Sequence, residues 1–221
     1  MIYITGDTHG EYNNFLMRII SCRPTADDTV IVCGDFGFVW NSLRHRHFLE
    51  KLAVLPFTIA FVDGNHKNFS LLETYPVEIW KGGNVHRIAK NIVHMMRGQI
   101  FTINEKSFFT MGGAYSPDKA LRTEEKNWWS AELPSNADYK TAEKNLKKCS
   151  YKVDYVITHT VPESVIHYMG AVPYKEDAEL TGYFEWLYGR LDFRKWFAGH
   201  FYVNRLIRNN VQILLDGVES L

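Results

Sequence analysis

Short apolar runs alternate with amphipathic segments in the first third of the chain. Residues 2–5, 29–33 and 57–62 are continuously hydrophobic, which predicts strands that are buried on both faces. Between them, residues 11–21 and 42–53 carry apolar side chains at helical spacing. The alternation of strand and helix is typical of βαβ units, and it therefore predicts a parallel sheet.

The pattern of hydrophobic and polar residues is different in the rest of the chain. A polar, poorly periodic segment at 112–138 separates a group of short strands from a second strand-and-helix region. The predicted strands are 92–96, 100–103, 107–111, 153–158, 193–198, 203–207 and 211–215, and the predicted helices are 139–149 and 178–191. We expect a hairpin at 104–106 and a tight turn at Asn209 and Asn210. The pattern predicts one α/β domain over residues 1–221, with two sheets and outer helices.

Composition narrows the classes of function. Hydrophobic residues make up 46% of the 221 residues and charged residues 23%, as in ordinary globular proteins. The 25 basic residues balance the 25 acidic ones, so no global charge attracts nucleic acid or an acidic membrane. The three cysteines have no metal-binding spacing, and no apolar run has the length of a membrane span. We expect a cytoplasmic protein with reduced thiols and no membrane partner.

Polar side chains of the metal-binding type follow five of the predicted strands. They are Asp7, His9, Asp35, Asn65, His66, His159 and His200. Carboxylate and amide oxygens together with imidazoles suit Mn, Fe or Zn better than calcium, and the lack of a cysteine argues against structural zinc. Ligands collect beyond the carboxyl ends of strands in α/β sheets. The sequence therefore predicts a divalent-metal site, with two ions.

The ordered set Asp7-x-His9, Gly34-Asp35, Gly64-Asn65-His66, His159 and Gly199-His200 resembles the calcineurin-like metallophosphoesterase superfamily. The resemblance extends from residue 7 to residue 200. It implies two mixed β-sheets packed as a sandwich and flanked by helices in four layers. It also implies a metal-dependent phosphoesterase that hydrolyses a phosphate ester with a metal-bridged hydroxide.

The resemblance also assigns roles to individual residues. It implies that Asp7 and His9 bind the first metal, that Asp35 bridges the two, and that Asn65, His159 and His200 bind the second. His66 would be the catalytic residue, donating a proton to the leaving oxygen or stabilising the transition state. The expected cofactor is a pair of divalent ions, with Mn favoured and Fe, Zn or Ni also suited to the ligands.

The chain departs from the superfamily at one ligand. The usual Gly-His-x-His ending is here Gly199-His200-Phe201-Tyr202. Tyr202 could ligate as a phenolate, or water could complete a first site that lacks one protein ligand. The departure predicts weakened binding of the first metal and reduced activity.

The polar segment at 112–134 looks like one found in bacterial and phage members of the superfamily. Arg122, Asp118 and Lys119 could line the substrate cleft, with Arg122 pairing with a phosphate. The alternative is a surface loop that Trp128 and Trp129 pin to the core.

Outside that segment, Arg97 is a weaker substrate candidate. His86, His94 and His167 lack partners at ligand spacing, so we interpret them as ordinary polar residues.

We consider two functions of different classes. The first is a phosphoesterase acting on a phosphodiester, either a nucleotide or nucleic acid; the Gly34-Asp35-Phe36-Gly37 element lacks the Asp-Arg continuation of the superfamily's protein phosphatases. The alternative is a catalytically weakened module that binds a phosphorylated ligand or a partner, with Tyr202 marking an incomplete metal site. No GxGxxG follows the first strand, which argues against a dinucleotide-binding oxidoreductase. The sequence carries no signal for an oligomeric state.

Overall fold

The strands form two mixed sheets, as predicted. A computed structural model describes residues 1–221. The first sheet contains β1 (Ile2–Thr5), β2 (Thr29–Val32), β3 (Thr58–Phe61), β4 (Val77–Trp80), β5 (Gly83–Ala89), β6 (Ile92–Met95) and β13 (Val218–Ser220). The second contains β7 (Gln99–Ile103), β8 (Lys106–Met111), β9 (Tyr155–Thr158), β10 (Lys195–Ala198), β11 (Arg205–Ile207) and β12 (Val211–Ile213). Their orders are β13-β1-β2-β3-β6-β5-β4 and β11-β12-β10-β9-β8-β7.

Helices cover the outer faces of both sheets. They are α1 (Tyr12–Ile20), α2 (Leu43–Ala53), α3 (Phe69–Leu72), α4 (Asn136–Lys148), α5 (Glu163–Tyr168) and α6 (Ala178–Tyr188). Three short 3-10 helices, at Lys119–Leu121, Ser130–Glu132 and Lys175–Asp177, lie in connecting segments. None of the helices has the length and hydrophobicity that a membrane crossing requires.

Three hydrophobic clusters hold four layers together. The central cluster lies between the sheets. There Ile4 of β1 and Val62, which follows β3, pack against Phe197 of β10. A second cluster joins the outer face of the first sheet to α1 and α2, and a third joins the second sheet to α4, α5 and α6. Trp196 is fully buried in the third cluster and donates from its indole N–H to Thr158 Oγ1 at 2.7 Å. The layers are therefore helix, sheet, sheet, helix.

Parallel pairing brings the carboxyl ends of five strands to one edge. β1 pairs with β2 and β2 with β3, in register from Thr5 to Val32 to Phe61. In the second sheet β9 and β10 are also parallel, with Ile157 opposite Phe197. The residues that follow these strands are consequently close in space although they are far apart in sequence.

The structure contains elements that the hydrophobic pattern does not predict. β4 is an edge strand whose first three residues are exposed, so its sequence has no alternating buried face. β13 forms by antiparallel pairing with β1, a contact between the two ends of the chain. Helix α5 has six residues, too few for a periodic signal.

A buried charge network fixes the polar segment against the first sheet. Asp63 follows β3, and its Oδ2 accepts from Arg97 Nε at 2.9 Å. Arg97 Nη2 also donates to the carbonyl oxygens of Ala131 and Glu132 at 2.8 and 3.1 Å. Burial raises the pKa of Asp63, but the Arg97 guanidinium and His94 outweigh it and hold that pKa well below its usual range. Arg97 therefore has a structural role at this position.

Two histidines interpreted as ordinary polar residues belong to the same network. His94 Nε2 lies 3.1 Å from Asp63 Oδ1, and its Nδ1 lies 3.0 Å from His86 Nδ1. Burial lowers the pKa of His94 to about 3, so its imidazole is neutral. If Nε2–H donates to Asp63, then Nδ1 must accept from His86. The separation of these residues along the chain gives no hint of this contact.

We predict that Arg97→Met lowers the free energy of unfolding by about 3–5 kcal/mol, because Asp63 would remain buried without its charge partner. Equilibrium denaturation measures this loss. Arg87→Met is the matched control: Arg87 Nε donates to Glu78 Oε2 at 3.0 Å, but Glu78 is about half exposed. That variant should lose less than about 1 kcal/mol. Equal losses would contradict the role of the buried pair.

Candidate metal centre

Three of the predicted ligands converge at the carboxyl ends of the parallel strands. One ligand atom from each of Asp7, Asp35 and His159 lies within 4.8 Å of the others, and all three side chains are buried. His159 Nδ1 is 3.6 Å from Asp7 Oδ1, and His159 Nε2 is 3.5 Å from Asp35 Oδ2. Two carboxylates and an imidazole at these distances could hold a divalent ion.

The orientation of His159 is fixed by the backbone. Its Nδ1 lies 2.9 Å from the carbonyl oxygen of Cys33, to which it donates. Nε2 consequently faces oxygen atoms, with Asn65 Oδ1 at 3.1 Å. Burial lowers the pKa of His159, but Asp35 and Asp7 outweigh it and raise that pKa to about 9. A cation at Nε2, either a proton or a metal ion, satisfies these oxygens.

Asp35 occupies the middle of the site. Its Oδ1 accepts from the backbone N–H of His66 at 2.8 Å. Its Oδ2 lies 3.8 Å from His9 Nδ1 on one side and 3.5 Å from His159 Nε2 on the other. This carboxylate therefore has one oxygen held by the backbone and one directed between two imidazoles, which suits a bridging ligand.

His9 faces both carboxylates. Its Nε2 lies 3.7 Å from Asp7 Oδ2, and this nitrogen is buried and makes no hydrogen bond. Burial raises the pKa of Asp7 to about 6, with His159 opposing it. An imidazole nitrogen without a partner beside two carboxylates fits a metal ion on the His9 side of Asp35.

A buried hydrogen-bond chain orients Asn65. Its Nδ2 donates to Ser116 Oγ at 3.1 Å, and that hydroxyl donates to Glu132 Oε2 at 2.6 Å. Glu132 Oε1 also accepts from the backbone N–H of Ser116 at 3.0 Å. Because the amide nitrogen is held in this way, Asn65 Oδ1 faces His159 and the centre. Sequence reasoning missed Ser116 and Glu132, although both lie in the segment singled out at 112–134.

His200 and Tyr202 lie in the loop that follows β10. The backbone N–H of His200 donates to both oxygens of Asp7, at 3.1 and 3.2 Å, and its ring centroid lies 4.9 Å from that of His159. Burial lowers the pKa of His200 to about 3, which leaves a neutral ring able to ligate. Tyr202 stacks nearly parallel on His9, with centroids 5.8 Å apart. Burial and Asp35 raise the pKa of Tyr202, so the phenol is neutral beside the first site.

The predicted substrate residues do not all lie at the centre. Arg122 Nη2 is 3.1 Å from His66 Nδ1 and 2.7 Å from Asp118 Oδ2, which brings these three residues together. Lys119 lies instead over the ring of Trp128, with Nζ 4.1 Å from its centroid. Trp128 and Trp129 are both buried, as the alternative interpretation of this segment expected. The segment is thus pinned by its tryptophans and also delivers Arg122 to the site.

The local backbone is unusual where the ligands leave the sheets. Asp35 and His200 adopt φ values of +40° and +69°, which non-glycine residues rarely do. The glycines that precede the ligands leave room for ligands from neighbouring strands. A Cβ on Gly34 would overlap His159, one on Gly64 would overlap Asp35, and one on Gly199 would overlap Asp7.

Comparison with known proteins finds one matching family and, among solved structures, two of low similarity. A family model for calcineurin-like phosphoesterases matches residues 1–203. Among solved structures, the Thermus thermophilus sulfate thiohydrolase SoxB in complex with glycerol aligns at a TM-score of 0.43 and 12% identity, over 95% of this chain and 37% of that one. The phosphopantetheinyl hydrolase PptH from Mycobacterium tuberculosis aligns at 0.41 and 15%, over 96% and 87%. This chain therefore spans little more than a third of the length of SoxB. No curated protein sequence matches it.

We predict that Gly64→Ala weakens Mn²⁺ binding at least about 10-fold, because its Cβ would displace the Asp35 carboxylate. Titration calorimetry with Mn²⁺ measures the change. Gly182→Ala is the matched control, since this glycine lies within α6 with no atom near its added Cβ, and it should bind Mn²⁺ as the wild type does. Unchanged affinity in Gly64→Ala would show that Asp35 does not bind the ion.

Proposed function

Because this chain belongs to the calcineurin-like phosphoesterase family, we propose that it hydrolyses a phosphodiester, either of a nucleotide or within nucleic acid, at a centre that holds two divalent ions. The observation that carries the proposal is the convergence of Asp7, Asp35 and His159, with His66 and Arg122 beside them.

The donor set divides into two overlapping groups. Asp7, His9 and Asp35 would hold the first ion, and Asp35, Asn65, His159 and His200 the second; Mn²⁺ suits this mixture of oxygen and imidazole ligands. When bound, such a pair of ions neutralises phosphoryl oxygens and lowers the pKa of water.

His66 would donate to the leaving oxygen and so stabilise the transition state. Burial lowers its pKa, with Asp35 opposing the shift and Arg122 adding to it, which favours a neutral ring. Arg122 Nη2 lies 3.1 Å from Nδ1 and 3.3 Å from Nε2, and a guanidinium can only donate. One ring nitrogen would therefore accept from Arg122, and the N–H of the other would donate a hydrogen bond to the leaving oxygen.

Arg122 would also bind a phosphate oxygen. Asp118 Oδ2 accepts from Arg122 Nη2 at 2.7 Å, and the Arg122 side chain is only 12% exposed. A guanidinium fixed in this way presents its remaining N–H groups without losing much conformational entropy.

The space beside the centre supports a diester. A cavity of about 520 Å³ is lined by Asn65, His66 and His200 together with apolar side chains such as Ile166 and Val172. A phosphomonoester has one organic group to accommodate, whereas a diester has two. The cavity gives the second group a place to bind.

Tyr202 supports the second candidate, a weakened binding module. The residue stands where the superfamily has an imidazole ligand, and its raised pKa disfavours the phenolate that would replace it. Such a protein would bind a phosphorylated ligand at the second site without turning it over.

We predict Mn²⁺-dependent hydrolysis of bis(p-nitrophenyl) phosphate by the stripped and reloaded protein, faster than that of p-nitrophenyl phosphate. Asp35→Asn should lower kcat/KM at least about 100-fold, since one ligand of both ions is lost. Asp192→Asn is the control, because Asp192 is exposed and pairs only with Lys152 at the surface. Wild-type inactivity with every metal, or full activity in Asp35→Asn, would refute the proposed enzyme.

We predict that Tyr202→His raises the Mn²⁺ content of the purified protein and its turnover, because imidazole is a better ligand than a neutral phenol. Metal analysis by mass spectrometry gives the stoichiometry. No increase in either quantity would mean that Tyr202 already serves as a ligand or that the first site does not need one. Activity that appears only in the variant would favour the binding module for the natural chain.

A further inference from the structure

The cavity beside the metal centre has a mixed lining. Asn65, His66 and His200 contribute polar side chains, and Ile166 and Phe201 contribute apolar ones. A molecule that carries both a phosphate and an apolar group fits such a space.

Two residues of the cavity wall each carry a buried polar atom without a hydrogen-bond partner. Asp177 is 3% exposed, and its Oδ1 makes no hydrogen bond. Thr160 is fully buried, and its Oγ1 is also without a partner. Both residues line the cavity. Buried polar atoms in native proteins are nearly always paired, so two exceptions in one wall point to a ligand that pairs with them.

The Asp177 carboxylate accepts from the backbone N–H of Tyr115, but its Oδ1 has no partner. It stands at the N-cap of α6, but its side chain makes no capping hydrogen bond. Burial raises its pKa to about 6, with the backbone N–H of Tyr115 opposing the shift. Near neutral pH the group is therefore mainly an ionised acceptor, held in a largely apolar wall where it lowers the stability of the fold.

We propose that this cavity is a base-binding subsite for an aminopurine nucleotide, whose exocyclic amine donates to Asp177 Oδ1 while its phosphate lies at the metal centre. The inference rests on the proposed function and adds the class of substrate. Thr160 Oγ1 would donate a hydrogen bond to the ring nitrogen next to the amine. Neighbouring groups of one base would therefore satisfy both unpartnered atoms.

The apolar side chains of the wall favour a planar ring as the bound group and disfavour a flexible polar one. Phe201 and Tyr174 line the cavity, and Tyr174 is half exposed at its rim. Aromatic side chains beside a charged anchor are typical of sites that bind a nucleobase. Asn65, His200 and the aromatic residues line one continuous cavity, so one nucleotide can contact both the metal centre and the aromatic side chains.

The test is titration calorimetry with Mn²⁺ present, using adenosine 5′-monophosphate and purine riboside 5′-monophosphate, which lacks only the amine. The wild type should bind the adenosine nucleotide roughly 10- to 100-fold more tightly, the range for a hydrogen bond to a charged group. Asp177→Asn should abolish this preference, because the Tyr115 N–H holds the amide oxygen and turns the NH₂ group toward the amine. Asp192→Asn is the matched control and should keep the preference.

Equal binding of the two nucleotides by the wild type would overturn the inference, as would a preference that survives in Asp177→Asn. If Asp177→Asn does not fold, Thr160→Val provides the second variant, since it keeps the shape and removes the hydroxyl; its preference should fall several-fold, and an unchanged preference counts against the subsite. An amine preference in a protein that hydrolyses no ester would refute the proposed function and leave the subsite standing. Ester hydrolysis without an amine preference would refute the subsite and leave the proposed function standing.

Discussion

The buried carboxylates of Asp7 and Asp35 form the interaction on which the rest of the structure depends. Two like charges out of water are unfavourable unless cations lie between them, and His159 and the proposed ions meet that need. The same requirement explains the missing Cβ atoms at the strand ends, where any larger residue would push a ligand aside. It also explains why Asp35 keeps a left-handed backbone.

A second layer of buried polar contacts holds the ligands in place. Glu132 and Ser116 orient the amide of Asn65, and Arg97 links the neighbouring Asp63 to the carbonyl oxygens at 131 and 132. Both sets of contacts join the segment after β8 to the end of β3. This segment therefore supports the centre from behind and delivers Arg122 to its front. One irregular stretch of chain thereby links the orientation of Asn65 to Arg122, the residue proposed to bind the substrate phosphate.

The two sides of the centre differ in how completely the chain satisfies them. The His159 side is buried and ordered by backbone hydrogen bonds, whereas the His9 side is covered by the stacked ring of the half-exposed Tyr202. An ion on the His159 side would have more fixed ligands than an ion on the His9 side. Metal occupancy can therefore differ between the two positions, and turnover would follow the weaker one.

The sequence by itself determined the layered α/β fold and the residues at the strand ends, because both depend on local patterns: an apolar run, a glycine, then a polar ligand. Only the tertiary structure decided which residues support them. Ser116 and Glu132 reach Asn65 from a distant segment, and His94 meets Asp63 across paired strands. The unpartnered Oδ1 of Asp177 becomes visible only when the segments that line the cavity come together. Such contacts depend on packing between remote segments, which no short pattern along the chain records.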